Sequence, residues 1–498
     1  MADVVSVRRD TYFDSVALML VSRDAAAVDG VDQTSAVAAT PLNLELLQGQ
    51  GFALPEQLGP NDLVIAIRAE TEAAAQAALA AVEASLAEQR RSAPGGQGLL
   101  PSRSLRSAAR RHPDLSLAFI SVPGRFAAYE AAQALQAGLH VFCFSDGVPR
   151  QAEVALKRRA AELGLLFMGP DCGTAIIDGI GLGFANAVQR GPVGVVGASG
   201  TGIQELTCLL DAAGVGISHA IGVGGRDLTH DVGGLMTMPA LQLLAEDAET
   251  KVIVIVSKPP DMAVAGEVLK VATAAGKPVV MALPGLTGSL PQVTGVHLAA
   301  TLEAGAQVAA ELVGGRAWTQ AEPQVSTTPG LIRGLFSGGT LCTEAMGVLV
   351  QAGQEVRSNI PLRPGWRLAD SRTSEGNCFI DFGEDELTQG RAHPMIDPSL
   401  RNRRFQHEAS DPAVGVMVLD VVLGYGAHPD PAADLAPLIR RAMTERPGGL
   451  TVCVSLCAAA GDPQGLDSQA VQLHEAGAVV GRSAAGSARL ALRAAGLA

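Results

Sequence analysis

The stretch GPVGVVGASGTGIQELTCLL, residues 191–210, constrains the chain more than any other. Its apolar run, residues 193–197, has no polar face. A strand built from it has to be covered on both sides, as in a parallel sheet flanked by helices. The run stops at a cluster of Gly, Ala, Ser and Thr, and a helical pattern starts at once. Strand, glycine turn and helix in that order bring unpaired backbone N–H groups and the positive end of a helix dipole to one point, which favours an anion. The same order returns in LIRGLFSGGTLCTEAMGVLVQAG, residues 331–353. The chain therefore reads as two similar α/β modules in tandem.

At 498 residues the chain is long for one domain. With 57 glycines and only 3% aromatic residues, it suits α/β layers joined by tight loops. Residues 1–95 alternate strand and helix patterns, including an amphipathic helix over 13–24, and are expected to form a small ferredoxin-like α+β domain. Residues 113–190 read as a Rossmann-like βαβ domain. Residues 191–316 and 331–498 read as two flavodoxin-like parallel-sheet domains. Linkers are expected at 91–104 and 317–330, and a long polar insertion at about 361–413 interrupts the last domain.

The net charge of −13 and the lack of a basic stripe argue against nucleic acid and anionic membrane surfaces as partners. No apolar run approaches the ~20 residues of a membrane span. The opening residues do not read as a signal peptide. The seven cysteines form no CxxC and no zinc spacing, so reduced thiols in a cytoplasmic protein, with no metal site, are expected.

Ligands of open parallel sheets bind beyond the carboxyl ends of the strands. That rule selects Ser199, Gly200, Thr201 and Gly202 in the first module and Ser337, Gly338, Gly339 and Thr340 in the second as a phosphate or acyl-phosphate site. Neither segment is a Walker loop, because no GK[ST] follows. Arg226, after two glycines at a strand end, suits an oxyanion clamp, and an ion pair with no ligand is its plain alternative. His393 lies in the densest basic stretch of an acidic chain, with Arg391, Arg401, Arg403 and Arg404. His428 follows an apolar strand, in a loop where ligand contact and turn capping are both open to it. Asp462 in GDPQ is a further candidate, although Asp-Pro is ordinary turn chemistry. Cys172, in GPDCGT, has no obvious base beside it.

Residues 115–310 resemble the succinyl-CoA synthetase alpha chain, from AFISVPGRFAAYEAAQALQAG through GPDCGT and GPVGVVGASGTGIQEL to KPVVMALPG. Over nearly the whole chain YFDSVALML, ATPLNLELL, GPDCGTAII, FSGGTLCTEA, DFGEDELTQGRAHPMIDPSLR and DPQ are similar to the FdrA family. This resemblance implies a CoA-binding-type domain at 113–190 and a subunit of oxamate carbamoyltransferase. Such an enzyme exchanges the carbamoyl group between oxalurate and phosphate in purine and allantoin breakdown, giving oxamate and carbamoyl phosphate. It works with further subunits, as a homo- or hetero-oligomer. The related synthetases imply the alternative of an NDP-forming acyl-CoA synthetase using CoA, and a non-catalytic anion-binding subunit is a third reading. Their phosphorylated histidine sits in Gly-His-Ala-Gly; here the segment is VTGVHLAAT with His297, and Lys258 stands where a supporting glutamate is expected.

Overall fold

Residues Met1–Ala108 with Asp385–Ala392 form one unit of the computed structural model, and Ala109–Glu384 with His393–Ala498 form the other. The structure describes residues 2–497 except 10, 12, 14–17, 19–20, 23–24, 26–27, 56, 60–61, 93–101, 103, 287, 316–322 and 389–391. The expected helix over 13–24 and the expected linker 91–104 fall largely outside the described residues, as does the first part, 317–322, of the expected linker 317–330.

The smaller unit is built on β1 (Ala2–Arg8), β2 (Val31–Ala38) and β3 (Leu63–Ala69), an antiparallel sheet in the order β1-β3-β2. The central strand LVIAIRA is apolar on both faces, and alternate side chains enter two separate cores. Leu63, Ile65 and Ile67 pack with Ala75, Ala78 and Val82 of α2 (Glu72–Ser92). Val64 and Ala66 pack with Leu47 of α1 (Pro41–Gly49) on the other side. A forked ion pair from Arg68 to Asp3, at 2.8 and 2.6 Å, joins residues directly opposite in β3 and β1. The small α+β domain expected from the sequence is present.

Among the described residues the larger unit contains three sheets. The first is parallel: β4 (Leu117–Ile120), β5 (His140–Cys143) and β6 (Phe167–Met168), with α3 (Gly124–Gln136) and α4 (Arg150–Glu162) as connections. The second runs β13-β12-β11-β9-β10-β7-β8. Its members are β7 (Thr174–Ile177), β8 (Ile180–Gly183), β9 (Arg190–Ala198), β10 (Ile217–Gly222), β11 (Val252–Ser257), β12 (Val279–Ala282) and β13 (Val296–Ala299). β9 to β13 are parallel, and the β7–β8 hairpin is added antiparallel along β10. That hairpin falls within the 113–190 segment but belongs to the second sheet, so the three-stranded sheet is smaller than the sequence suggests.

The third sheet is wholly parallel, in the order β15-β16-β14-β17-β18-β19. It comprises β14 (Leu331–Phe336), β15 (Arg357–Ser358), β16 (Cys378–Asp381), β17 (Val414–Val422), β18 (Thr451–Cys457) and β19 (Val479–Gly481). The polar stretch at 361–413 is not a simple insertion. It contributes β16, four buried residues paired to β14. An apolar run as short as CFID inside a polar segment carries too little periodicity to stand out.

Ion pairs and polar clamps lock these sheets together. Lys157 of α4 is fully buried and meets Asp227 at 2.7 Å, Glu153 at 3.0 Å and the Val223 carbonyl at 2.9 Å. Arg226 bonds Glu153 and the Val148 carbonyl. Asp227 also accepts from Thr237 N and Thr237 Oγ1. Asp462 accepts from Asn186 Nδ2 at 2.7 Å, from Ala187 N and from Ala459 N, tying the third sheet to the start of β9. All seven cysteines are free and buried. Among the described residues no helix is long and apolar enough to cross a membrane.

Removing one partner of a buried ion pair strands the other charge. Asp227→Ala, which leaves Lys157 without its nearest carboxylate, is expected to lose about 3–5 kcal/mol of stability. Arg226→Ala is expected to lose less, because Lys157 still neutralises Glu153. Urea unfolding followed by circular dichroism checks the order of the two.

Candidate functional site

The two glycine turns meet. β9 runs into α5 (Gly200–Ala212), β14 into α6 (Gly339–Gln351), and Ser199 Oγ lies 2.5 Å from Thr340 Oγ1. The approach is close enough that a Cβ on Gly338 would stand 2.8 Å from Thr201 Oγ1. The eight residues selected from the sequence therefore form a single junction.

The two helix starts are capped differently. Ser199 caps α5 itself, accepting from Gly202 N at 2.9 Å. Gly338 at the start of α6 has no side chain to do so. Asp420, in β17, supplies a carboxylate instead, accepting from Ser337 N at 2.7 Å and Gly338 N at 2.8 Å. Arg401 neutralises Asp420 at 3.2 Å and donates to Ser337 Oγ at 2.9 Å. Two amides that the sequence offers to an anion are thus occupied by an internal carboxylate. The amides of Gly200, Thr201, Gly339 and Thr340 remain as first-turn donors with no acceptor inside their own helices.

Side chains from strand ends and loops surround this junction. Lys258, one residue beyond β11, has its Nζ 3.2 Å from Glu384 Oε1 and 4.0 Å from Asp381 Oδ2. Desolvation works against its charge, but Asp381 and Glu384 outweigh that and hold its ammonium above the usual lysine value. Asp381, at the end of β16, is 2% exposed. Burial lifts its carboxyl to about 7 despite the pull of Lys258. A Cβ on Gly383 would meet His393 Nε2 at 2.9 Å, the Ser337 carbonyl at 2.9 Å and Asp381 Oδ1 at 3.1 Å, so these atoms converge.

Burial, with the Lys258 charge behind it, pushes His393 down to about 4. The imidazole is neutral at pH 7. Its Nδ1 accepts from Met395 N at 3.3 Å, which leaves the proton on Nε2, facing Asp381 and the α6 turn. Phe184 packs against the ring at 5.6 Å between centroids. His393 is therefore built as a neutral donor.

Other sequence candidates lie elsewhere. Arg226 is spent on Glu153 and Val148. The His428 ring turns to Asp434 at 3.4 Å and accepts from Asp430 N, although its backbone N bonds the Met395 carbonyl. Asp462 serves as the clamp described above. Cys172 is buried, and its thiol is pushed up to about 12, which makes it a poor nucleophile. His297 is exposed in β13, the edge strand of its sheet, opposite Val280. Arg391 falls outside the described residues. Lys258, Asp381, Asp420 and Arg401 complete the site; the sequence signalled Lys258 as a departure, Arg401 as part of a basic stretch and Asp420 only as the first residue of a strand-end segment, 420–430, and it gave Asp381 no role.

The chain is 39% identical to the uncharacterized protein YahF of Escherichia coli over 99% of its own length and 98% of that protein's. The chain belongs to the FdrA family. Residues 1–100 of this FdrA-family member match the AllF heavy metal-associated domain, 188–285 a CoA binding domain and 335–496 a CoA-ligase. The CoA binding match thus falls on the first tandem module and not on 113–190. A succinate–CoA ligase alpha subunit of Archaeoglobus fulgidus is 31% identical over 44% of the chain and 76% of its own length. The acetyl-coenzyme A synthetase 1 of Ca. Korarchaeum cryptofilum aligns with a TM-score of 0.36 and 17% identity, over 82% of the chain and 88% of that one. The FdrA-family scaffold is thus a CoA-ligase and CoA-binding fold related to the NDP-forming acyl-CoA synthetases. Its first 100 residues contain no Cys or His, so thiolate and imidazole ligands are missing there.

One further pair supports the junction. Glu205 of α5 and Glu344 of α6 are six residues past the respective caps, fully buried and in contact. Glu205 accepts from Ala484 N and Glu344 from Leu302 N, while the Oε2 atom of each lacks a donor. One proton between the two satisfies both. Burial and the charge of Glu344 hold Glu205 well above the usual carboxylate range, and burial lifts Glu344 to about 7.

A carboxyl raised in the folded state stabilises while protonated, and that contribution is lost as pH rises through the folded value. The thermal midpoint of Glu344→Gln is expected to gain on the parent between about pH 4.5 and 7 and to stay ahead above that. A midpoint difference that does not change with pH would contradict the shared proton. Gly338→Ala is expected to force the two helix starts apart and cost about 1–3 kcal/mol. Gly266→Ala, in the helix Met262–Thr273 with nothing within 4 Å of its new Cβ, serves as the neutral or stabilising control in the same melts.

Proposed function

We propose that the paired starts of α5 and α6 hold an acyl phosphate and that the chain transfers an acyl group to or from phosphate. The observation that carries this reading is the contact of Ser199 with Thr340, which points two helix starts at one place. Matches to CoA-ligase and CoA binding families support the acyl-CoA ligase form, in which CoA is the acceptor. The finer, carbamoyl form rests on the FdrA resemblance, with companion subunits. One observation favours it over a phosphohistidine relay: His297 lies in an edge strand, and the histidine near the junction, His393, is a neutral donor packed on Phe184.

In the carbamoyl form a phosphate oxygen adds to the ureido carbonyl carbon of oxalurate. The bond from that carbon to the oxamate nitrogen then breaks, giving carbamoyl phosphate and oxamate. His393 Nε2–H donates to the carbonyl oxygen as it gains charge. Asp381, with a value of about 7, takes the proton of the attacking phosphate and returns it to the departing nitrogen. In the ligase form the same donor faces the acyl carbonyl and the CoA sulfur replaces the nitrogen.

The test is turnover of carbamoyl phosphate and acetyl phosphate by the full chain, co-expressed with its neighbours. Oxamate-dependent consumption of carbamoyl phosphate is expected, and His393→Gln is expected to lower it about 100-fold or more. CoA-dependent consumption with acid-labile phosphate on His297 would instead establish the ligase form.

A further inference from the structure

Lys258 sits where the two modules' first helical turns come together. β9 and β11 pair in register, with Ser257 opposite Ala198, so Lys258 and Ser199 are each the residue just past the end of their strand. A Cβ on Gly339 would lie 2.5 Å from Lys258 Nζ. The ammonium therefore rests on the first residue of α6. It is not sealed in, since the side chains of Lys258 and Glu384 are 36% and 38% exposed.

A second feature marks the same place as built for a ligand. Thr174, the last residue of GPDCGT and the first of β7, is 1% exposed and its hydroxyl has no hydrogen-bond partner. A Cβ on Gly200 would lie 3.2 Å from that Oγ1. An unpaired hydroxyl thus abuts the first residue of α5, as the ammonium abuts the first residue of α6. Buried hydroxyls are almost always bonded, and one left open at a helix start calls for an oxygen-rich guest.

We infer that Lys258 receives the anionic group of the substrate, a phosphoryl or carboxylate group, and that Glu384 is a resident carboxylate that this group displaces. This rests on the acyl-phosphate reading above and names the charge that does the binding. The incoming oxygen replaces Glu384 Oε1 on Lys258 Nζ, while the open first-turn amides and the Thr174 hydroxyl donate to its other oxygens. Displacement is easy because a half-exposed ion pair contributes little. Asp381 stays behind as the buried counter-charge.

The experiment is calorimetric titration of inorganic phosphate, and separately carbamoyl phosphate, into the full chain and its variants. Glu384→Gln is expected to bind inorganic phosphate up to about fivefold tighter, the factor that one surface ion pair converts to. Lys258→Met is expected to weaken binding about tenfold or more, and Lys258→Arg to restore part of it. In the Lys258→Met background, Glu384→Gln is expected to bring no further gain. Thermal midpoints establish that each variant is folded. Unchanged or weaker phosphate binding in Glu384→Gln, or the same gain without Lys258, overturns the inference. If Glu384→Gln tightens phosphate but no acyl transfer is found, the inference stands and the functional reading falls. If transfer is found and Glu384→Gln changes neither Kd nor KM, only the inference falls. No phosphate binding by any form overturns both.

Discussion

Two positive helix ends held in contact repel each other, and the architecture of the larger unit answers that repulsion. Asp420 places a carboxylate on the amides ahead of α6, and Asp381 places another beside Gly339. Ser199 caps α5 and at the same time reaches Thr340. Further along the helices, Glu205 and Glu344 convert a second source of repulsion into a bond by sharing a proton. Each acidic group that would be costly alone has its opposite number nearby, so the junction is stable without being closed. The open amides of the first turns are the remainder, and they are what a ligand can use.

The core strands were legible because their chemistry is local. LVIAIRA, the run at 193–197 and VGVMVLD are apolar on both faces, and each became a buried strand. The glycine turns were legible for the same reason, and their pairing followed from the repeat. Arg226 and Asp462 illustrate the limit. Both have residue types that suit a ligand site, but both bond protein groups: Arg226 meets Glu153, 73 residues away, and Asp462 meets Asn186, 276 residues away. Asp381 and Asp420 illustrate the converse. DFGED is marked only by the family resemblance and Asp420 only by its place at a strand end, and neither assigns a role; their roles arise only once β16, β14 and β17 lie side by side. Sheet order brings them to one end, and sheet order is the property that a single sequence states least directly.

His393 joins the two cases. Its neighbourhood of arginines made it a candidate, but its state comes from burial, Phe184 and Lys258. A histidine in a dense basic stretch was the candidate, and a neutral imidazole under an aromatic ring was found. The arginines are used in turn for structure: Arg401 for Asp420, and Arg404 for Glu408. The density of positive charge therefore reflects buried carboxylates to be neutralised as much as any ligand.

The Ser199–Thr340 contact joins residues 141 positions apart in one polypeptide. Two helix starts on separate chains would meet only by assembly, and their joint occupancy would fall on dilution. Carried by one chain, they face each other at a high effective concentration that does not depend on how much protein is present. The one-to-one ratio of the two halves is also fixed at synthesis. The junction of the two helix starts therefore needs no second chain to form.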